Sequence, residues 1–232
     1  MSRPSGNLQY AVDIVLCIDA TESMEPVLSY VKASALSFHE RLGTVMFAKG
    51  KSISQLRLKV IAFRDFADYA DDAIEQTGFL SFPDQVQDFE RFVNGIEAIG
   101  GGDVPESGLE ALALAVQAPW ERGRDRRRHV IVLFTDAPAH PLGDPRHTAV
   151  HTYPRTVPPT LTDLFEQWGF AQSRRAVMEN SAKRLLLFAP EESPWNEIAD
   201  DWNNTLFFPS EAGKGLQEYE MDEIINTIAN SL

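Results

Sequence analysis

Hydrophobic positions along the chain fall into two kinds of run. Short unbroken runs rich in Val, Ile, Leu and Phe occur at 11–19 (AVDIVLCID), 56–64 (LRLKVIAFR), 129–136 (HVIVLFTD), 184–189 (RLLLFA) and 204–208 (NTLFF). Runs of this length and composition fit strands buried on both faces. A shorter run, GFLSF at 78–82, reads as a further strand. Elsewhere the apolar residues recur at intervals of three and four. Met24, Val27, Leu28, Val31, Ala35, Phe38 and Leu42 share one face of a helix over 24–42, with Gly43 as its expected stop. After Pro83 and Asp84, the stripe Val86, Phe89, Phe92, Val93 and Ile96 predicts another helix, broken by GGGDVPE. Further helices are expected at 106–118, 161–181, 194–202 and 217–231.

Strands that alternate with helices, and are apolar on both faces, predict an open α/β sheet: Rossmann-like, mostly parallel, with helices on both sides. At 232 residues the chain suits one well-cored domain over 11–232, preceded by a polar segment at 1–10. The stretch 137–160 stands apart. It carries six prolines, and a loop this long in a compact domain is more often functional than accidental.

Charge narrows the partners. The formal net charge of −13 argues against nucleic acid and against an anionic membrane surface, both of which call for a basic footprint. It is compatible with a bound cation or a basic partner. The single cysteine, Cys17, excludes an internal disulfide and reads as a small buried hydrophobe. With a polar start and no apolar stretch near ~20 residues, a reducing, cytoplasmic location is expected.

In an open α/β sheet, ligands bind beyond the carboxyl ends of the strands. Asp19, Thr21 and Ser23 follow the first strand, and Asp136 ends the strongest one. Asp103 lies between two helices, behind three glycines that let backbone approach closely. Three carboxylates and two hydroxyls could thus meet. Hard oxygen ligands in that number suit Mg²⁺, with Mn²⁺ and Ca²⁺ not distinguished. The competing reading is local: Ser23 as a helix N-cap and the carboxylates as solvated strand ends.

These loops carry a resemblance. DATESM after an apolar strand is similar to the DxSxS element of von Willebrand factor A (VWA) domains, with Thr at the first hydroxyl. GGGD before a helix resembles that family's second loop, and LFTDAP its strand-terminal Asp loop. FRDF (63–66), GGGDVPE (100–106) and TDAPAH (135–140) are similar to the pattern of the alpha-kinase-associated and hemicentin-like members. The resemblance covers about residues 10–232. It implies a Rossmann-like sheet with one antiparallel edge strand, for which 78–82 is the natural candidate. It implies a metal ion-dependent adhesion site formed by Asp19, Thr21, Ser23, Asp103 and Asp136. It also implies a non-enzymatic, intracellular scaffold in a signalling or stress-response assembly, whose protein partner donates a carboxylate to the metal. Kinases, phosphatases and ATPases are the company such modules keep. One position departs from the pattern: the usual second-loop ligand is Thr, and here it is Asp103. Three ionised carboxylates around Mg²⁺ leave about −1 of net charge, which repels an incoming carboxylate. A water-bridged carboxylate, a different ligand, or a structural or silent metal site are the alternatives this leaves.

Other signals are weaker. AKGKS (48–52) lacks the first P-loop glycine, since Val45 stands there. DATES has Thr21 where a phosphatase of the DxDxT type places its general acid. A metal-dependent hydrolase using the same carboxylates would need a base, and His140 is the candidate by sequence. His140, His147 and His151 are expected on the loop surface, and Asp65, Asp68, Asp71 and Asp72 in a solvated turn. The five arginines between Arg122 and Arg128 read as a solvated connector or, alternatively, a docking patch for an acidic partner.

Overall fold

The computed structural model describes residues 8–34, 38–101, 105–124, 126–170, 174–216, 219 and 221–231. At its centre lies a seven-stranded sheet of β1 (Leu8–Asp19), β2 (Lys51–Phe63), β3 (Ile74–Gln76), β4 (Leu80–Phe82), β5 (Arg127–Phe134), β6 (Lys183–Pro190) and β7 (Thr205–Ser210). The order across the sheet is β3-β2-β1-β5-β6-β7, and β4 also pairs with β2. The five long strands run parallel. Both short ones pair antiparallel with β2, so the antiparallel edge expected at 78–82 is present and is shared with β3.

β1 lies between β2 and β5, so its backbone hydrogen bonds are satisfied on both sides and both its faces are covered. Val12, Ile14, Leu16 and Ile18 face one core, while Val15 and Cys17 face the other. Each such side chain contributes roughly 1.5–3 kcal/mol on burial. The first core is closed by α1 (Glu25–Ser34), α2 (Phe38–Ala48), α4 (Val86–Gly95) and α9 (Met221–Ser231). The second is closed by α5 (Gly108–Val116), α7 (Leu161–Trp168) and α8 (Trp195–Asp201). The layering is helices, sheet, helices. Two one-turn helices, α3 (Phe66–Tyr69) and α6 (Pro145–Thr148), lie in connections.

Some expectations need correction. Helix continues past Gly43 to Ala48, because Gly43 takes no left-handed conformation and burial of Phe38, Leu42 and Met46 outweighs the roughly 0.5–1 kcal/mol cost of a mid-helix glycine. α7 ends at Trp168 rather than at 181. Gly169 takes a φ of +84°, and the buried Lys183 ammonium donates to the carbonyls of Trp168 and Gly169. Two arginines of the basic run, Arg127 and Arg128, are half-buried strand residues rather than connector, and Arg127 pairs with Glu179.

The chain leaves β1 for β2 on one side, while β5 lies on the other. The cleft between the carboxyl ends of β1 and β5 is therefore the topological switch point, where open α/β sheets place their ligands. Asp19 ends β1, and Asp136 lies two residues past β5.

Candidate metal centre

At the mouth of β1, Ala20 N–H still donates to Phe63 O at 2.9 Å, which keeps the chain extended as it leaves the sheet. Thr21 stays extended too (φ −77°, ψ 162°), and Ser23 falls in a 3₁₀ turn at Glu22–Met24. This path turns three oxygen-bearing side chains toward β5. Thr21 donates to Asp19 Oδ1 through both its N–H (3.0 Å) and its hydroxyl (2.6 Å). Thr135 Oγ1 donates to Asp19 Oδ2 at 2.7 Å. Ser23 Oγ donates to Asp136 Oδ1 at 3.0 Å, across 113 positions of sequence, and lies 3.4 Å from Thr21 Oγ1. Four of the five sequence-derived candidates thus form one continuous hydrogen-bonded cluster. Ser23 bonds to Asp136, not to a helix N–H, so the capping alternative is not what its hydroxyl does. Asp103 lies outside the described residues. Its loop does reach the cluster: Gly100 O accepts from Glu22 N at 3.1 Å, and a Cβ on Gly101, at φ +89°, would stand 3.1 Å from Thr21 Cβ.

Asp19, Thr21, Thr135 and Asp136 are buried, whereas Ser23 is exposed, so the cluster opens to solvent on one side. Burial pushes the Asp19 carboxyl up to about 6; hydrogen bonds from Thr21 and Thr135 pull it down, and the Asp136 charge pushes it up further. No Lys, Arg or His among the described residues makes a polar contact with Asp19 or Asp136. The donor set is therefore all oxygen and net negative, which fits a hard divalent cation. Thr21 Oγ1 and Ser23 Oγ, 3.4 Å apart, are close to the roughly 3.0 Å that separates adjacent ligands of an octahedral ion with bonds near 2.1 Å.

A supporting loop was not foreseen from sequence. Gly215 N–H donates to Asp136 Oδ2 at 2.7 Å, and Gly213 N–H to Asp136 O at 2.8 Å. Gly215 holds a φ of +61° with its Cα against Ser23 O, leaving no room for a Cβ. The glycines of EAGKG are the signal that could have pointed there.

The histidines of the proline-rich segment depart most from expectation. His147 and His140 are buried (0% and 6% exposed) and only His151 is on the surface. Asp65 is buried as well, while Asp68, Asp71 and Asp72 are exposed. The segment 137–160 folds back on the molecule: Ala139 bridges to Glu106, Asp144 caps α6 by accepting from Arg146 N at 2.8 Å, and Pro145 takes the first helical position. His147 Nε2 then lies 2.7 Å from Asp65 Oδ1, and His140 Nε2 lies 3.6 Å from Asp65 Oδ2. Nδ1 of His147 is 3.1 Å from Glu110 Oε1, which also accepts from Tyr153 Oη at 3.2 Å. Burial opposes charge on His147, but contacts with Asp65 and Glu110 outweigh it and push the imidazole up to about 9. One ligand atom each from Asp65, His140 and His147 lies within 4.8 Å of the others, close enough to hold a metal ion. His140 is thereby occupied with Asp65, Arg146 and Asp144, and makes no polar contact with Asp19 or Asp136.

No protein-family model matches the chain. It is 28% identical over 143 residues to the alpha-protein kinase vwkA of Dictyostelium discoideum, an alignment covering 62% of this chain and 21% of that protein. It is 26% identical over 132 residues to the putative ariadne-like RING finger protein R811 of Acanthamoeba polyphaga mimivirus, covering 57% and 12%. Among solved structures, the pilus adhesin SpaC of Lactobacillus rhamnosus GG superimposes over 95% of this chain and 30% of its own, at 11% identity and a TM-score of 0.53. Its open conformation gives 0.50. At that identity the likeness is one of fold. The chain spans about a fifth or less of the curated relatives it matches. Among the described residues no helix is long and apolar enough to cross a membrane.

Proposed function

We propose that this chain is a VWA-type interaction module that binds Mg²⁺, or a like hard cation, at Asp19, Thr21, Ser23 and Asp136, and captures a protein partner through that ion. Asp103 joins the set from the glycine loop through a bridging water, so that only two carboxylates sit directly on the ion and no net negative charge there repels an incoming carboxylate. One observation carries the reading: residues 113 positions apart converge, through the Ser23–Asp136 hydrogen bond, at the switch point of the sheet. Two kinds of likeness support it, the fold shared with an adhesin and the partial sequence match to an alpha-protein kinase. When bound, the cation supplies a positive centre with open coordination positions, to which a partner carboxylate can attach. The chain's own contribution is positioning. Thr135 and Thr21 hold Asp19, and Gly215 holds Asp136, so the oxygens keep their arrangement without the ion. The partner belongs to an intracellular assembly, of the kind in which kinases, phosphatases or ATPases act.

Affinity capture tests this with wild type and Asp19→Ala in parallel. A partner retained in Mg²⁺, released by EDTA and missing from the variant is the expected result. Equal retention in EDTA would contradict a metal-mediated interface.

A further inference from the structure

We propose that Asp65, His140 and His147 form a second metal centre, chemically distinct from the first, which takes Zn²⁺ and pins the proline-rich segment to the carboxyl end of β2. The donor chemistry argues for it. Two imidazoles and one carboxylate are the ligands of a borderline transition ion rather than of Mg²⁺, and His₂-carboxylate sets hold zinc with one position left open. The geometry is close to what that ion requires. A tetrahedral ion with bonds of about 2.0–2.1 Å sets its ligand atoms about 3.3 Å apart. Here one atom from each residue lies within 4.8 Å of the others, with His147 Nε2 2.7 Å from Asp65 Oδ1 and His140 Nε2 3.6 Å from the second oxygen, Oδ2.

The surroundings are those of a ligating histidine. Glu110 Oε1, 3.1 Å from His147 Nδ1, holds the ring with Nε2 as the atom aimed at Asp65. Tyr153 Oη holds Glu110 in turn. His147 Nε2 and Asp65 Oδ1 then face each other at 2.7 Å as a buried ion pair. In the metal-free protein the imidazolium proton meets that contact, and a metal ion would displace it on binding. On the His140 side, Nδ1 accepts from Arg146 Nη2 at 3.1 Å, and Asp144 Oδ2 lies 3.9 Å away, so ligation through Nε2 requires Nδ1 to exchange the guanidinium for the Asp144 carboxylate.

Charge points the same way. Asp65 and Glu110 bring two carboxylates into a space where no member of the group is more than 6% exposed, and Glu110 Oε2 is buried without a hydrogen-bond partner. Arg146, the guanidinium beside His140, is itself paired with Asp144. A divalent ion would neutralise the two carboxylates. It would also tie together three segments far apart in sequence: the turn after β2, the run after β5 and α6. The competing occupant is a proton on His147.

The test is titration of Zn²⁺ into metal-free full-length protein with Mg²⁺ present in excess, read by calorimetry and by the rise in melting temperature. Co²⁺ replaces Zn²⁺ as a reporter of coordination in visible absorption. One site per chain is expected, with a four-coordinate Co²⁺ spectrum. His140→Ala should abolish it, and Glu110→Gln should weaken it by about 10–100-fold, the usual cost of losing the carboxylate behind a ligating histidine. Asp19→Ala should leave it intact, which separates this site from the Mg²⁺ site. Absence of saturable Zn²⁺ binding to folded wild type would overturn the proposal. So would binding unchanged in His140→Ala, which would place the ion on surface groups such as His151.

Discussion

At the scale of single residues, Asp136 depends on one glycine. Gly215 donates its N–H to Asp136 Oδ2, holds a φ of +61°, and leaves no space for a Cβ beside Ser23 O. Gly215→Ala must strain the backbone or push the loop outward, at a cost of about 1–3 kcal/mol. The expected outcome is a lower melting temperature together with weaker Mg²⁺ binding, measured on the same sample. Unchanged Mg²⁺ affinity would mean that this loop does not position Asp136. The loop after β1 was legible because Asp19, Thr21 and Ser23 occupy one short stretch after an apolar strand, where alternation places them on one side. Gly215, Glu110 and the Asp65–His140–His147 group were not. Their partners lie tens of residues away, and nothing local marks a histidine in a proline-rich run as buried. FRDF and TDAPAH had brought Asp65 and His140 into view as motif residues, but only the folded-back segment brings them together.

At the scale of elements, continuous apolar runs identified the long strands well, because β1, β5 and β6, buried on both faces over most of their length, have no polar alternation to confuse them; β7 is the exception, an edge strand of half-buried and exposed residues rather than the doubly buried strand expected of NTLFF. The helices were read less well. The single helix expected over 24–42 is α1 and α2, with residues 35–37 outside the described set, and Gly43 lies inside α2 instead of ending it. Glycine signals a helix end only when a left-handed conformation is needed there, as at Gly169 but not at Gly43. With no neighbour within 4 Å of an added Cβ, Gly43→Ala should stabilise the protein by about 0.5–1 kcal/mol, through the helix propensity of alanine and a less flexible unfolded chain. Chemical denaturation would show this as a raised midpoint at constant slope. A lowered midpoint would mean that α2 is not a regular helix at Gly43. β3 was missed because three residues, Ile74–Gln76, two half-buried and one exposed, carry too short a pattern to stand out from a turn.

At the scale of the whole molecule, the strand order decides where chemistry can sit. Because β1 is flanked by β2 and β5, the loops that leave β1 and β5 diverge to opposite sides and open a cleft at their carboxyl ends. Two hydroxyls and two carboxylates occupy that cleft, and the glycine loop before α5 and the Gly213–Gly215 turn close around it. The chain as a whole is strongly acidic, with a formal net charge of −13, which favours cations and basic surfaces over nucleic acid. The central claim is that this cleft is a cation socket, and calorimetric titration of Mg²⁺ into metal-free protein tests it most directly, with Asp19→Ala as the control. The account predicts one saturable site in wild type that disappears in the variant while the variant's melting remains cooperative. Absence of Mg²⁺ binding to folded wild type, or equal binding to both proteins, would contradict it.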